Sequence, residues 1–131
     1  MRLFKSLAVF AIATALAAPV AAKTWSCTFS GGDGAVPEKV IITHDQNTGA
    51  VTVNDPFIQN YVGTPVSGIL KSANATRYLF NYSLRSFKDE QGHWVPGVSF
   101  SVNIIRATGK ASISVNPGGN YESQRGSGTC R

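Results

Sequence analysis

Histidine, cysteine and clustered charge are all scarce in this chain of 131 residues, which holds two histidines, two cysteines and twelve Lys and Arg against seven Asp and Glu. A metal centre needs histidine or cysteine pairs at short fixed spacings. Neither His44 and His93 nor Cys27 and Cys130 supply one, so no metal and no cofactor is expected. The neighbours His44 and Asp45 would point to opposite faces of a strand, which suits a solvated turn better than a base with its orienting carboxylate. No serine sits in a G-x-S-x-G elbow, and the glycines at 31, 32, 34, 118 and 119 lack the following helix that would cradle a phosphate. The seven carboxylates lie in polar or turn-like surroundings, and none forms the apolar-niche pair a glycosidase requires. The expectation is a protein that is not an enzyme. No run of Lys or Arg concentrates the positive charge, so no nucleic-acid partner is expected either. Linkers, repeats and low-complexity tracts are absent from the sequence.

The one long apolar run, Leu7–Ala18, is too short to span a bilayer comfortably, and its flanks are those of an export signal. Arg2 and Lys5 precede it, and Val20-Ala21-Ala22 offers a small-residue cleavage site. Residues 1–22 are thus read as a signal peptide and residues 23–131 as one domain of 109 residues, periplasmic or secreted. Removing Arg2 and Lys5 lowers the formal charge from +5 to +3. No cysteine stands at the cleavage point, so no lipid anchor is expected and the product should be a soluble monomer. In an oxidising compartment Cys27 and Cys130 have a single intramolecular pairing open to them. Closing a loop of roughly 100 residues this way is worth about 4.7 kcal/mol on chain-entropy grounds.

Period-two alternation dominates the rest. Val98, Phe100, Val102 and Ile104 face one way, then Ala111, Ile113 and Val115 after a tight loop ending at Gly109. This predicts a hairpin over 98–116. A second hairpin is expected from Lys39 to Val53 around the turn Asp45–Gly49. Tyr78, Phe80, Tyr82 and Leu84 form the apolar face of a further strand that runs into a polar turn at Lys88–Gly92. Asp55, Pro56 and Gly63 punctuate one short helix, as cap, first position and stop. With strands near 24–29, 66–71 and 124–130, the fold class is all-β. We expect a small antiparallel β-barrel of about eight strands with one short helix, its first and last strands joined by the disulfide. A two-sheet β-sandwich is the alternative.

Such a barrel is either filled or holds one small ligand. The leading expectation is a non-enzymatic binding module that meets an envelope or extracellular partner, a protein or a glycan, through loops at one rim: Ser72–Thr76, Lys88–Val95 and Asn116–Asn120. The alternative is a carrier enclosing an apolar ligand against Tyr78, Phe80, Tyr82 and Phe100. Ser72, Tyr78, Phe80, Tyr82 and Trp94 are therefore the candidate ligand-binding residues.

The segment Ser72-Ala73-Asn74-Ala75-Thr76-Arg77-Tyr78 resembles the serine-rich loop of the small periplasmic inhibitors of c-type lysozyme, which are disulfide-closed barrels. That resemblance implies a role for Ser72 in entering an enzyme cleft. The family's later aromatic-x-Lys-Gly segment is represented by Trp94-Val95-Pro96-Gly97, with proline in place of lysine and a start 16 residues after Tyr78. The C-terminal stretch ending Gly126-Ser127-Gly128-Thr129-Cys130 also resembles small exported bacterial proteins of unknown function, which implies a fold and no activity.

Overall fold

Eight strands close on themselves in a computed structural model that describes residues 21–131. Most of the expected signal peptide lies outside the described residues. In chain order the elements are β1 (Ala22–Ser30), β2 (Lys39–Asp45), β3 (Val51–Asn54), α1 (Pro56–Tyr61), β4 (Val66–Ala73), β5 (Arg77–Leu84), β6 (Phe87–Lys88), β7 (Trp94–Val95), β8 (Val98–Ile105), β9 (Lys110–Pro117) and β10 (Gln124–Cys130). The barrel runs β1-β2-β3-β4-β5-β8-β9-β10 and back to β1, every neighbouring pair antiparallel. The remaining strands, β6 and β7, pair only with each other, as a small hairpin inserted between β5 and β8.

Alternation decides what fills the barrel. Inward positions carry Trp25, Val40, Ile42, Val53, Phe80, Val102 and Ile113, all buried, while their sequence neighbours, Ile41 and Leu79 apart, carry Ser, Thr, Asn and charge. Closure leaves the eight-stranded barrel itself no unpaired edge strand. The seam between β1 and β10 is locked where Cys27 faces Cys130 directly in register and the two sulfurs are bonded. The flanking pair, Ser26 and Arg131, exchanges both backbone hydrogen bonds. Cys27 and Cys130 therefore occupy the closer, non-hydrogen-bonded kind of site, with Cα atoms 4.0 Å apart. Gly128 allows that closeness, since a Cβ there would run into the Thr28 carbonyl oxygen.

The up-and-down order sorts every connection to one of two ends. At the turn end lie the tight links β2–β3, β4–β5 and β8–β9, beside the start of β1 and the end of β10. Gly49 and Gly109 take positive φ in two of them, as their turn positions require. At the helix end lie the longer connections: residues 31–38, the segment 55–65 with α1, the segment 85–97 with the β6–β7 hairpin, and residues 118–123.

Candidate functional site

The helix end contains an apolar cavity of about 190 Å³. Its floor is made by inward residues of the barrel strands, among them Leu84, Val98, Phe100 and Val115, and its walls by Phe57, Tyr61, Phe87 and Tyr121. Phe57 and Tyr61 are four residues apart on α1 and so share one helix face. Tyr61 stacks on Phe87 of the inserted hairpin, centroids 4.2 Å apart and planes inclined by 28°. Helix and hairpin thereby meet as one aromatic wall of the cavity. Asp89 is the single charged residue on the lining.

The helix is held there from its first residue. Asp55 caps it, accepting from the Ile58 N–H at 2.7 Å, and its second carboxylate oxygen accepts from the Tyr82 hydroxyl at 2.6 Å. Both groups are buried, and Tyr82 lies flat against its cross-strand partner Phe100, centroids 4.5 Å apart. Burial raises the Asp55 pKa above the ordinary carboxylate range, against the lowering pull of the Tyr82 hydroxyl and the Ile58 and Phe57 N–H groups. Burial and the adjacent Asp55 carboxylate push the Tyr82 phenol well above its ordinary value. This pair fixes the angle at which α1 enters the barrel.

The hairpin is held differently. The Asp89 carboxylate accepts from the Gln91 and His93 N–H groups, at 3.0 and 2.8 Å, and folds the tip back on itself. His93 Nδ1 lies 3.6 Å from the same carboxylate, on the exposed side of the turn. Trp94 is 66% exposed, with Lys88 Nζ 5.2 Å from its ring centroid.

The opposite end has another character. Tyr78, half-buried, packs on Trp25 at 5.2 Å between centroids, and Trp25 packs on Phe80 at 5.0 Å, so the barrel is plugged by aromatics here. Lys23 and Arg106 both reach the Tyr78 ring, at 5.3 and 4.7 Å from its centroid. His44 meets the edge of Phe80 at 6.4 Å.

The candidate residues read from the sequence are thus divided. Ser72, exposed on β4, and Tyr78 belong to the turn end, and Phe80 is fully buried mid-barrel. Tyr82 holds the helix cap, and Trp94 sits outside on the hairpin. The three loops expected to share a rim do not share one: Lys88–Val95 and Asn116–Asn120 adjoin the helix end, whereas Ser72–Thr76 is at the turn end, because an odd number of barrel strands separates that loop from the other two. Nor do Tyr78, Phe80, Tyr82 and Phe100 enclose one space. Phe100 alone among them borders the helix-end cavity, since Phe80 and Tyr78 pack against Trp25 instead. Phe57, Tyr61, Phe87, Val95 and Tyr121, which border the cavity, were not read from the sequence; the one signal that points to them is the four-residue spacing of Phe57 and Tyr61 on the helix. Among the described residues no three His, Cys, Asp or Glu side chains gather as a metal site, and no helix is long and apolar enough to cross a membrane. No protein-family model, curated protein or solved structure matches this chain.

Proposed function

We propose that this protein is an exported, non-catalytic binding module that holds its partner by one apolar anchor inserted into the helix-end mouth. The observation that carries the reading is the cavity of about 190 Å³ with its apolar floor and aromatic wall. Ligand pockets for whole small molecules run to roughly 300–1,000 Å³, whereas an apolar cavity of about 150 Å³ accommodates a single benzene. The space here therefore matches one aromatic or branched aliphatic group, such as a side chain presented by a protein, better than an enclosed carrier ligand. Buried anchors of that type in desolvated pockets dominate binding energies at interfaces. The collar of polar loops around the mouth, including Lys88–Val95 and Asn116–Asn120, would supply the rim contacts. The disulfide fits residence in the periplasm or outside the cell.

The lysozyme-inhibitor reading would place its key serine, Ser72, at the turn end among basic residues, where a basic enzyme would meet like charge. The anchor reading avoids that conflict. Its test is selection of random peptides on the oxidised protein. Selected peptides should share an aromatic or branched aliphatic residue and lose binding to a Val98→Phe variant, whose added ring fills the cavity floor. Peptides without such a residue, or binding indifferent to Val98→Phe in a folded variant, would overturn the reading.

A further inference from the structure

Charge that is scattered along the sequence is gathered by the fold. The turn end carries Lys23, Lys71, Arg77, Arg106, Lys110 and Arg131, all exposed, against the single acidic side chain Asp45. The helix end carries Lys39, Arg85, Lys88 and Arg125 against Asp33, Glu38, Asp55, Asp89, Glu90 and Glu122. Asp45 is moreover occupied, its carboxylate accepting from the Asn47 and Thr48 N–H groups at 2.9 and 3.3 Å. Among the described residues the only salt bridge is His93 with Asp89, at the helix end. Among the described residues the basic side chains of the turn end thus have no carboxylate partner within salt-bridge distance, and two of them approach one ring, Tyr78. Such convergence of like charge is stabilised by an external anion.

We propose that the turn end is a docking surface for an anionic lipid bilayer, on which the barrel stands with its cavity facing away from the membrane. The shape of the patch selects this partner. Cations at the ends of β1, β4, β5, β8, β9 and β10 form a broad arc round the barrel end, broken where Asp45 closes β2, and such an arc meets a plane, whereas a linear polyanion is tracked by a stripe. Base stacking has no platform here, because Trp25 is buried and the Tyr78 ring is already engaged by Lys23 and Arg106. Ile105, 41% exposed, stands at the rim beside Arg106 and opposite Arg77 in register, so an apolar side chain accompanies the charges. Each Lys or Arg brought near an anionic bilayer multiplies partitioning roughly fivefold, so several acting together suffice for peripheral attachment without any inserted segment.

The test is co-sedimentation of the oxidised protein with vesicles of equimolar phosphatidylglycerol and phosphatidylcholine, and with phosphatidylcholine alone. Binding should need the anionic lipid and fade as salt rises. Lys23→Glu with Arg106→Glu should lower partitioning at least about a hundredfold. Arg77→Glu with Lys110→Glu, whose side chains make no hydrogen bond or ion pair among the described residues, should do the same and keeps the test open if the first pair misfolds. Lys39→Glu with Arg85→Glu makes the same charge change at the helix end and should stay within about twofold of the parent. The proposal is overturned by absence of binding to the anionic vesicles, by equal loss in all three variants, or by binding only to a polyanion such as heparin or an oligonucleotide.

Discussion

Removing the Asp55 carboxylate should unseat α1 and cost the barrel a measurable part of its stability. Asp55→Ala deletes the cap to the Ile58 N–H, worth about 1 kcal/mol, and strands the buried Tyr82 hydroxyl, worth about 1–3 kcal/mol, for a total of about 2–4 kcal/mol. Tyr82→Phe leaves a carboxylate oxygen without its donor and should cost about 1–3 kcal/mol. The double variant leaves neither orphan, so its cost should fall short of the sum by about 1–2 kcal/mol. Asp55→Asn keeps a capping oxygen and should stay within about 1 kcal/mol of the parent at neutral pH. The pH dependence separates these variants further. Because burial raises the folded-state pKa above 3.8, the native state binds the Asp55 proton more tightly than the unfolded chain. Stability from this site is therefore greatest at low pH and declines as pH rises from about the unfolded value through the raised folded one. Urea titrations followed by tryptophan fluorescence across that range should show the parent losing stability relative to Asp55→Asn as pH rises. Parallel profiles, a gain for the parent, or an Asp55→Ala cost below about 0.5 kcal/mol would show that the Asp55–Tyr82 pair does not hold α1 in place.

Replacing both Cys27 and Cys130 by alanine should lower stability by up to about 4.7 kcal/mol, read as a fall in the denaturation midpoint, while a change below about 1 kcal/mol would show that hydrogen bonding alone holds the β1–β10 seam. Gly128→Ala should open that seam by clash with the Thr28 carbonyl and abolish a well-dispersed amide spectrum. Gly34→Ala, where nothing stands within 4 Å, should cost only the strain of its positive φ, about 1–2 kcal/mol. Phe87→Ala should lose the stacking partner of Tyr61, about 0.5–1.5 kcal/mol beyond its buried area, and raise hydrogen exchange in the hairpin and α1 while leaving the β-barrel protected.

The barrel was legible because its signals are local. Alternation at Val98–Ile104 and Tyr78–Leu84 reports which side chains face inward whatever the partner strand, and the Asp55-Pro56 start and Gly63 stop mark α1 within a few residues. Closure was less direct, since a sandwich would show the same alternation; the ladder that runs unbroken through eight strands and returns through the β1–β10 pairing excludes it. The β6–β7 hairpin went unread because two-residue strands carry no period, and its tip is shaped by the Asp89 side chain. The basic end was invisible for a different reason. Its cations come from separate strand ends between residues 23 and 131, and only the alternating direction of eight strands places them together. A search for runs of charge misses that. Counting charge by strand end, once the up-and-down order is assumed, finds it.

If the helix-end mouth takes a single apolar group, small aromatic molecules should enter it. Amide spectra of the isotopically labelled, oxidised protein titrated with N-acetyl-tryptophanamide and p-cresol address this directly. Saturable shifts centred on Phe57, Tyr61, Phe87, Phe100 and Val115, lost in Val98→Phe, are the predicted result. Shifts absent, unsaturable, or gathered instead around Trp25 and Tyr78 at the turn end would contradict it.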